Sequence, residues 1–91
     1  MVNKTYLVLT NEFGKVTAAV EFVDDQRPAL NISKRSATIY ENLGCSFKEE
    51  TKKFNTKEEG NSFFIELKEQ GFCLDNNAGK NFIEKLYNSM Y

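Results

Sequence analysis

The segment KTYLVLT, residues 4–10, is apolar on both faces of an extended chain. Side chains alternate along a strand, so Tyr6 and Val8 fall on one face and Leu7 and Leu9 on the other. A strand with two apolar faces belongs at the centre of a sheet or under cover on both sides. Asn11-Glu12-Phe13-Gly14 then supplies turn chemistry. Residues 15–23 alternate more cleanly, with Val16, Ala18, Val20 and Phe22 on one face and Thr17, Ala19 and Glu21 on the other. The two segments predict a β-hairpin.

Asp24 to Asn31, around the single proline Pro28, reads as loop. A helix is predicted over residues 33–43, SKRSATIYENL. At about 100° per residue, Ile32, Ser36, Ile39, Tyr40 and Leu43 share one side, and Lys34, Arg35, Thr38, Glu41 and Asn42 the other. Ser33 suits the N-cap, Ile32 and Ala37 stand where a hydrophobic staple would, and Gly44 suits the stop. The strand propensity of Thr38-Ile39-Tyr40 competes; periodicity and caps favour the helix.

Residues 45–53 predict a polar edge strand, whose charges discourage edge pairing. The charge blocks of residues 48–59, KEETKKFNTKEE, read as solvated strand and loop. The next helix opens on the capping box Thr56…Glu59 and ends at Gly71. It buries Phe63, Phe64 and Leu67, and Gly60 on the same face implies close approach to another backbone. Phe72-Cys73-Leu74 suits a short strand. The last helix follows Asp75-Asn76 and turns Gly79, Phe82, Ile83, Leu86, Tyr87 and Met90 inward. The order ββαβα(β)α is an α+β arrangement: a small, mostly antiparallel sheet with helices packed on it. Residues 1–91 form a single compact domain in this reading, with eight Phe and four Tyr for its core.

Several chemistries are excluded by composition. Histidine is absent, which removes imidazole acid/base catalysis, His-dependent nucleophiles and imidazole metal sites. Cys45 and Cys73 form no CxxC and cannot complete a four-ligand zinc site; Asp24-Asp25 lacks the spacing of a calcium loop. No metal and no cofactor are expected. Both thiols read as reduced, core-filling residues of a cytoplasmic protein. No apolar stretch reaches the ~18 residues of a membrane span, and MVNKTYLVLTNEF lacks the cleavage site of a signal peptide. The net charge of −1 fits neither a dedicated polyanion binder nor a DNA mimic. Ten Asn and ten Lys against two Arg is the bias of an AT-rich coding sequence, as in low-GC bacteria and their phages.

Two surfaces carry functional expectations. LNISKRSATIYENLG, residues 30–44, resembles the recognition-helix half of a helix-turn-helix, though a strand and loop stand where that motif has its first helix. The resemblance implies Ser33, Lys34, Arg35 and Thr38 as nucleic-acid contacts. The other surface is the outer side of the helix at 56–70, where Glu58, Ser62, Ile65, Glu66 and Glu69 follow helical spacing. Glu66 and Glu69 are like charges three residues apart, near a C-terminus that disfavours acids, with no Lys or Arg at i±3 or i±4. Ile65 adds an apolar side chain to this wet face. A rule broken without local compensation marks a functional surface, here an acidic-rimmed contact for a partner protein.

There is no phosphate loop, no GxGxxG and no recognisable acid/base pair, and a chain of 91 residues has little room for a substrate pocket beside its core. The chain is therefore expected to be a small non-enzymatic, cytoplasmic module acting through protein–protein contact. Such a module suits a phage or mobile element that inhibits or redirects a host factor. A second expectation is a nucleic-acid-binding regulator using the helix at 33–43. A third is a homodimeric structural subunit joined through the edge strand or the helix at 56–70. No membrane partner is expected.

Overall fold

The computed structural model describes residues 2–90, Met90 by its backbone alone. The predicted hairpin is present: β1 (Val2–Thr10) pairs antiparallel with β2 (Val16–Arg27), Leu7 opposite Val20. Asn11 closes the turn, its Oδ1 accepting from the N–H groups of Phe13 at 2.9 Å and Lys15 at 3.0 Å. Gly14 takes the left-handed φ of 78° that the turn requires.

The helix predicted over 33–43 is absent; those residues are strand β3 (Ile32–Asn42). It pairs with β2 along its length, Val20 opposite Ile39, and on its other side with β4 (Phe47–Phe54). The expected order is corrected accordingly: a third strand stands where the first helix was placed. The residues read as caps serve a strand instead. Ser33 donates its hydroxyl to Gln26 Oε1 at 3.0 Å across the pair. Gly44, at φ 93°, lies in the β3–β4 turn and donates its N–H to Asn42 Oδ1 at 2.8 Å. The loop expected from Asp24 is also shorter. Asp24–Arg27 continue β2, and the reversal is a single 3-10 turn at Pro28–Leu30 ending on left-handed Asn31, φ 55°.

Helix α1 (Lys57–Glu69) starts as its capping box predicts. Thr56 Oγ1 accepts from Glu59 N–H at 3.2 Å, and Glu59 Oε2 accepts from Asn55 N–H at 3.0 Å. A two-residue strand β5 (Cys73–Leu74) pairs with β1, and helix α2 (Asn76–Met90) follows. Asp75 caps α2, its Oδ1 accepting from Ala78 N–H at 3.0 Å. Among the described residues the strands form one antiparallel sheet in the order β4-β3-β2-β1-β5. This is an α+β fold with its helices packed on an antiparallel sheet.

The two helices lie on opposite faces, and this explains the doubly apolar β1. On one face Leu7, Ala18, Val20, Ala37 and Phe54 join Leu67 of α1 and Phe72 in a buried cluster. Phe22 meets Phe64 at 5.4 Å and Phe63 at 6.0 Å between ring centroids, both inclined rather than stacked. On the other face Tyr6, Val8, Ala19 and Tyr40 are buried, α2 lies across β1 and β2, and Leu86 of α2 is buried too. Tyr87 meets the rings of Tyr40 at 6.1 Å and Phe47 at 5.3 Å. Short β5 carries the chain across the sheet edge between the two layers. Fully buried Leu7 and Val20 each contribute roughly 1.5–3 kcal/mol by leaving water.

The close backbone approach expected at Gly60 is not seen; the tight contact is at Gly79, against the Tyr6 side chain. A Cβ on Gly60 would meet the Phe54 ring at an ordinary 3.6 Å, whereas a Cβ on Gly79 would stand 2.5 Å from Tyr6 Cβ. Gly79, Leu86, Phe82, Ile83 and Tyr87 are buried or half-buried, as the periodicity of α2 predicts; the Met90 side chain lies outside the described residues. Cys45 and Cys73, expected in the core, are both exposed, one beside the β3–β4 turn and one on β5.

Candidate protein-contact site

The two expected surfaces fare differently. Ser33, Lys34, Arg35 and Thr38 do not share a face, because they lie on β3. Ser33 and Arg35 point to the α1 side, Lys34 and Thr38 to the α2 side, by strand alternation. Their local bonds are those of a sheet: Arg35 Nη1 donates to Ser33 Oγ at 3.4 Å, Arg35 Nε lies 3.8 Å from Asp24 Oδ1, and the Thr38 and Thr51 hydroxyls are 3.1 Å apart. The basic first turn of a recognition helix does not exist here.

Glu58, Ser62, Ile65, Glu66 and Glu69 do form the outer side of α1, all exposed, Ile65 at 57%. Among the described residues neither Glu66 nor Glu69 has an ion-pair partner. Glu58, Ser62, Phe63 and Glu66 of α1 line a shallow cleft of about 430 Å³ against the Lys52–Phe54 segment of β4, where Lys52 and Phe54 turn their side chains to the α1 side and Lys53 points to the α2 side. Ile65 and Glu69 continue the helix surface beyond it. Lys52 Nζ stands 4.8 Å from the Phe63 ring centroid, a cation–π arrangement on the cleft floor. The cleft thus has an acidic wall on the helix and a basic wall on the strand.

β4 is an edge strand, paired with β3 alone among the described residues. Its outward N–H and C=O groups present a template for another strand. The opposite edge, β5, is two residues long and offers little. Sequence reasoning placed β4 at an edge but missed that Lys52 stands on the same face as the acids of α1. That proximity comes from the tight turn at Asn55-Thr56, which folds α1 back over the strand it follows.

A smaller recess, about 240 Å³, opens on the α1 side between Phe22, Phe54, Phe64, Arg35 and Lys57. Arg35 Nε is buried there without a hydrogen-bond partner. Two tyrosines have displaced titrations. Tyr6 is pushed up to about 12 by burial, then by its 2.7 Å bond to Glu21 Oε2. Tyr40 is raised by burial and by its neighbour Tyr87. Both lie under α2, away from the cleft, and serve packing. No group of three or more His, Cys, Asp or Glu stands ready for a metal among the described residues, and none of their helices is long and apolar enough to cross a membrane. Compared with family models, with curated proteins and with solved structures, the chain gives no match.

Proposed function

We propose that this protein is a non-enzymatic binding module that acts through protein–protein contact, with the β4 edge and the outer side of α1 as its contact surface. The observation that supports this most is the adjacency of an open strand edge and a cleft with acidic and basic walls. An extended segment added to β4 would gain main-chain hydrogen bonds from the edge, and its side chains would enter the cleft beneath α1. Ile65 then supplies an apolar anchor beside the acids, and Glu66 and Glu69 find in the partner the cations they lack here. The AT-rich composition keeps a phage or mobile-element origin, and a host factor as target, within this reading. Cytoplasmic location belongs to the same proposal.

The test is affinity capture from host lysate with nuclease added. A protein retained after nuclease treatment, and lost on Ile65→Asp, supports the reading. Recovery that depends on intact nucleic acid contradicts it and favours a nucleic-acid regulator.

A further inference from the structure

The charges of β4 restrict what can pair with it. We infer that its occupant is a second copy of this chain, β4 against β4, antiparallel and centred on Thr51; this rests on the reading of the edge and cleft as a protein contact. Groups pointing away from β3 alternate along β4, so only residues of equal parity can stand opposite each other in an antiparallel pair. Two identical strands related by a two-fold axis must therefore centre on a residue that faces itself. Along Lys48-Glu49-Glu50-Thr51-Lys52-Lys53, every centre but one sets a like charge against itself. Centring on Glu50 also sets Lys48 against the partner subunit's Lys52.

Thr51 is the exception. Centred there, Glu50 faces the partner subunit's Lys52 and Glu49 faces the partner subunit's Lys53, and symmetry repeats both pairs. The pairs sort correctly between faces. Lys52 lies on the α1 side, over Phe63, and Glu50 shares its parity. Glu49 lies on the α2 side, where it accepts from Tyr87 Oη at 2.8 Å, and Lys53 shares that parity. Lys48 Nζ, 3.6 Å from Glu50 Oε2, holds the second acid along the strand. Opposite charges directly across a pair stabilise it and like charges destabilise it, so the sequence selects one register. In that register the Glu50–Lys52 pairs lie on the α1 side, the side on which Glu66 lines the cleft beside Lys52. Charged edges usually prevent pairing; this one prevents it in the competing registers centred on its charged residues.

Charge reversal tests the register. Sedimentation of the full chain between about 1 and 100 μM, the range of modest interfaces, should show a monomer–dimer equilibrium that weakens with salt. Glu49→Lys/Glu50→Lys and Lys52→Glu/Lys53→Glu should each lower self-association about tenfold or more while keeping the wild-type circular dichroism. Mixed in equal amounts, the two variants should form a heterodimer at least as tight as the wild-type dimer, since all crossed pairs are again opposite. Should either double variant fail to fold, Thr51→Lys sets a like charge on the two-fold axis and should alone yield monomer. A wild type that stays monomeric, or a mixture that stays monomeric, overturns the inference. A monomeric wild type whose β4 variants still lose a different captured protein overturns it too, while leaving the contact surface in place.

Discussion

Alanine at position 79 should destabilise this protein although alanine is the better helix former. In an unconstrained helix interior Gly→Ala gains about 0.8–1 kcal/mol. Here the new Cβ would stand 2.5 Å from Tyr6 Cβ, against the ~3.5–4.0 Å of a comfortable carbon contact. About 1 Å or more of separation between α2 and β1 is needed, and Tyr6 cannot supply it. Its N–H donates to Asn76 Oδ1 at 2.9 Å, its carbonyl accepts from Asp75 N–H at 3.1 Å, and its hydroxyl is held by Glu21 at 2.7 Å. Overpacking typically costs 1–3 kcal/mol, and this pinned site belongs in the upper part of that range. The net loss is about 1–2 kcal/mol, or roughly 5–15 °C in Tm for a chain of this size. Gly60→Ala is the internal control, because its Cβ meets Phe54 at 3.6 Å. It should gain about 0.5–1 kcal/mol and raise Tm by a few degrees. Thermal denaturation of both variants gives opposite signs if the packing of α2 on β1 is correct. A Gly79→Ala protein more stable than wild type would refute it.

Two further outcomes follow from buried and exposed groups. Tyr6 titrates near 12 in the folded chain against 10.0 when free, so the folded state keeps a proton the unfolded state has lost. Stability is therefore complete below pH 10 and falls as pH rises towards 12, by about 3 kcal/mol from this group; urea midpoints across that window should drop more steeply for wild type than for Tyr6→Phe. Cys45→Ser and Cys73→Ser, both at exposed positions, should each leave Tm and partner capture unchanged within about 0.5 kcal/mol, and loss of capture in a folded variant would point to a thiol mechanism.

The elements legible in the sequence were those whose signals are local. The Thr56…Glu59 box, the Asn11 turn and the periodicity of α2 each act within a few residues. β3 was not legible, and the reason is physical. A strand paired on both sides and covered on both faces buries Ala37 and Tyr40, of opposite parity, so it shows no clean alternation. Its apolar residues then fit a helical spacing as well as an extended one, and Ser33 and Gly44 punctuate a hairpin as well as a helix. Gly60 and Gly79 look alike in sequence, since which of them meets a side chain too closely for a Cβ depends on how each helix lies on the sheet. Of the site, the outer side of α1 was readable from charges that break the helix rules. Its basic wall was not, because Lys52 belongs to a different element.

The contact surface itself is tested most directly by separating stability from binding. Glu66→Lys/Glu69→Lys replaces two acids near the C-terminal end of α1 with cations that suit the helix dipole, worth about 0.5–1 kcal/mol together, while the like-charge i,i+3 repulsion is left as it was. Ile65→Asp alters a side chain already 57% exposed and should shift folding by no more than about 1 kcal/mol. Each variant should be measured for Tm, for capture of protein from nuclease-treated lysate, and for self-association. The account predicts that the double variant melts at or above the wild-type temperature and that both variants lose binding. A Glu66→Lys/Glu69→Lys protein that is more stable and binds as well as wild type would contradict it.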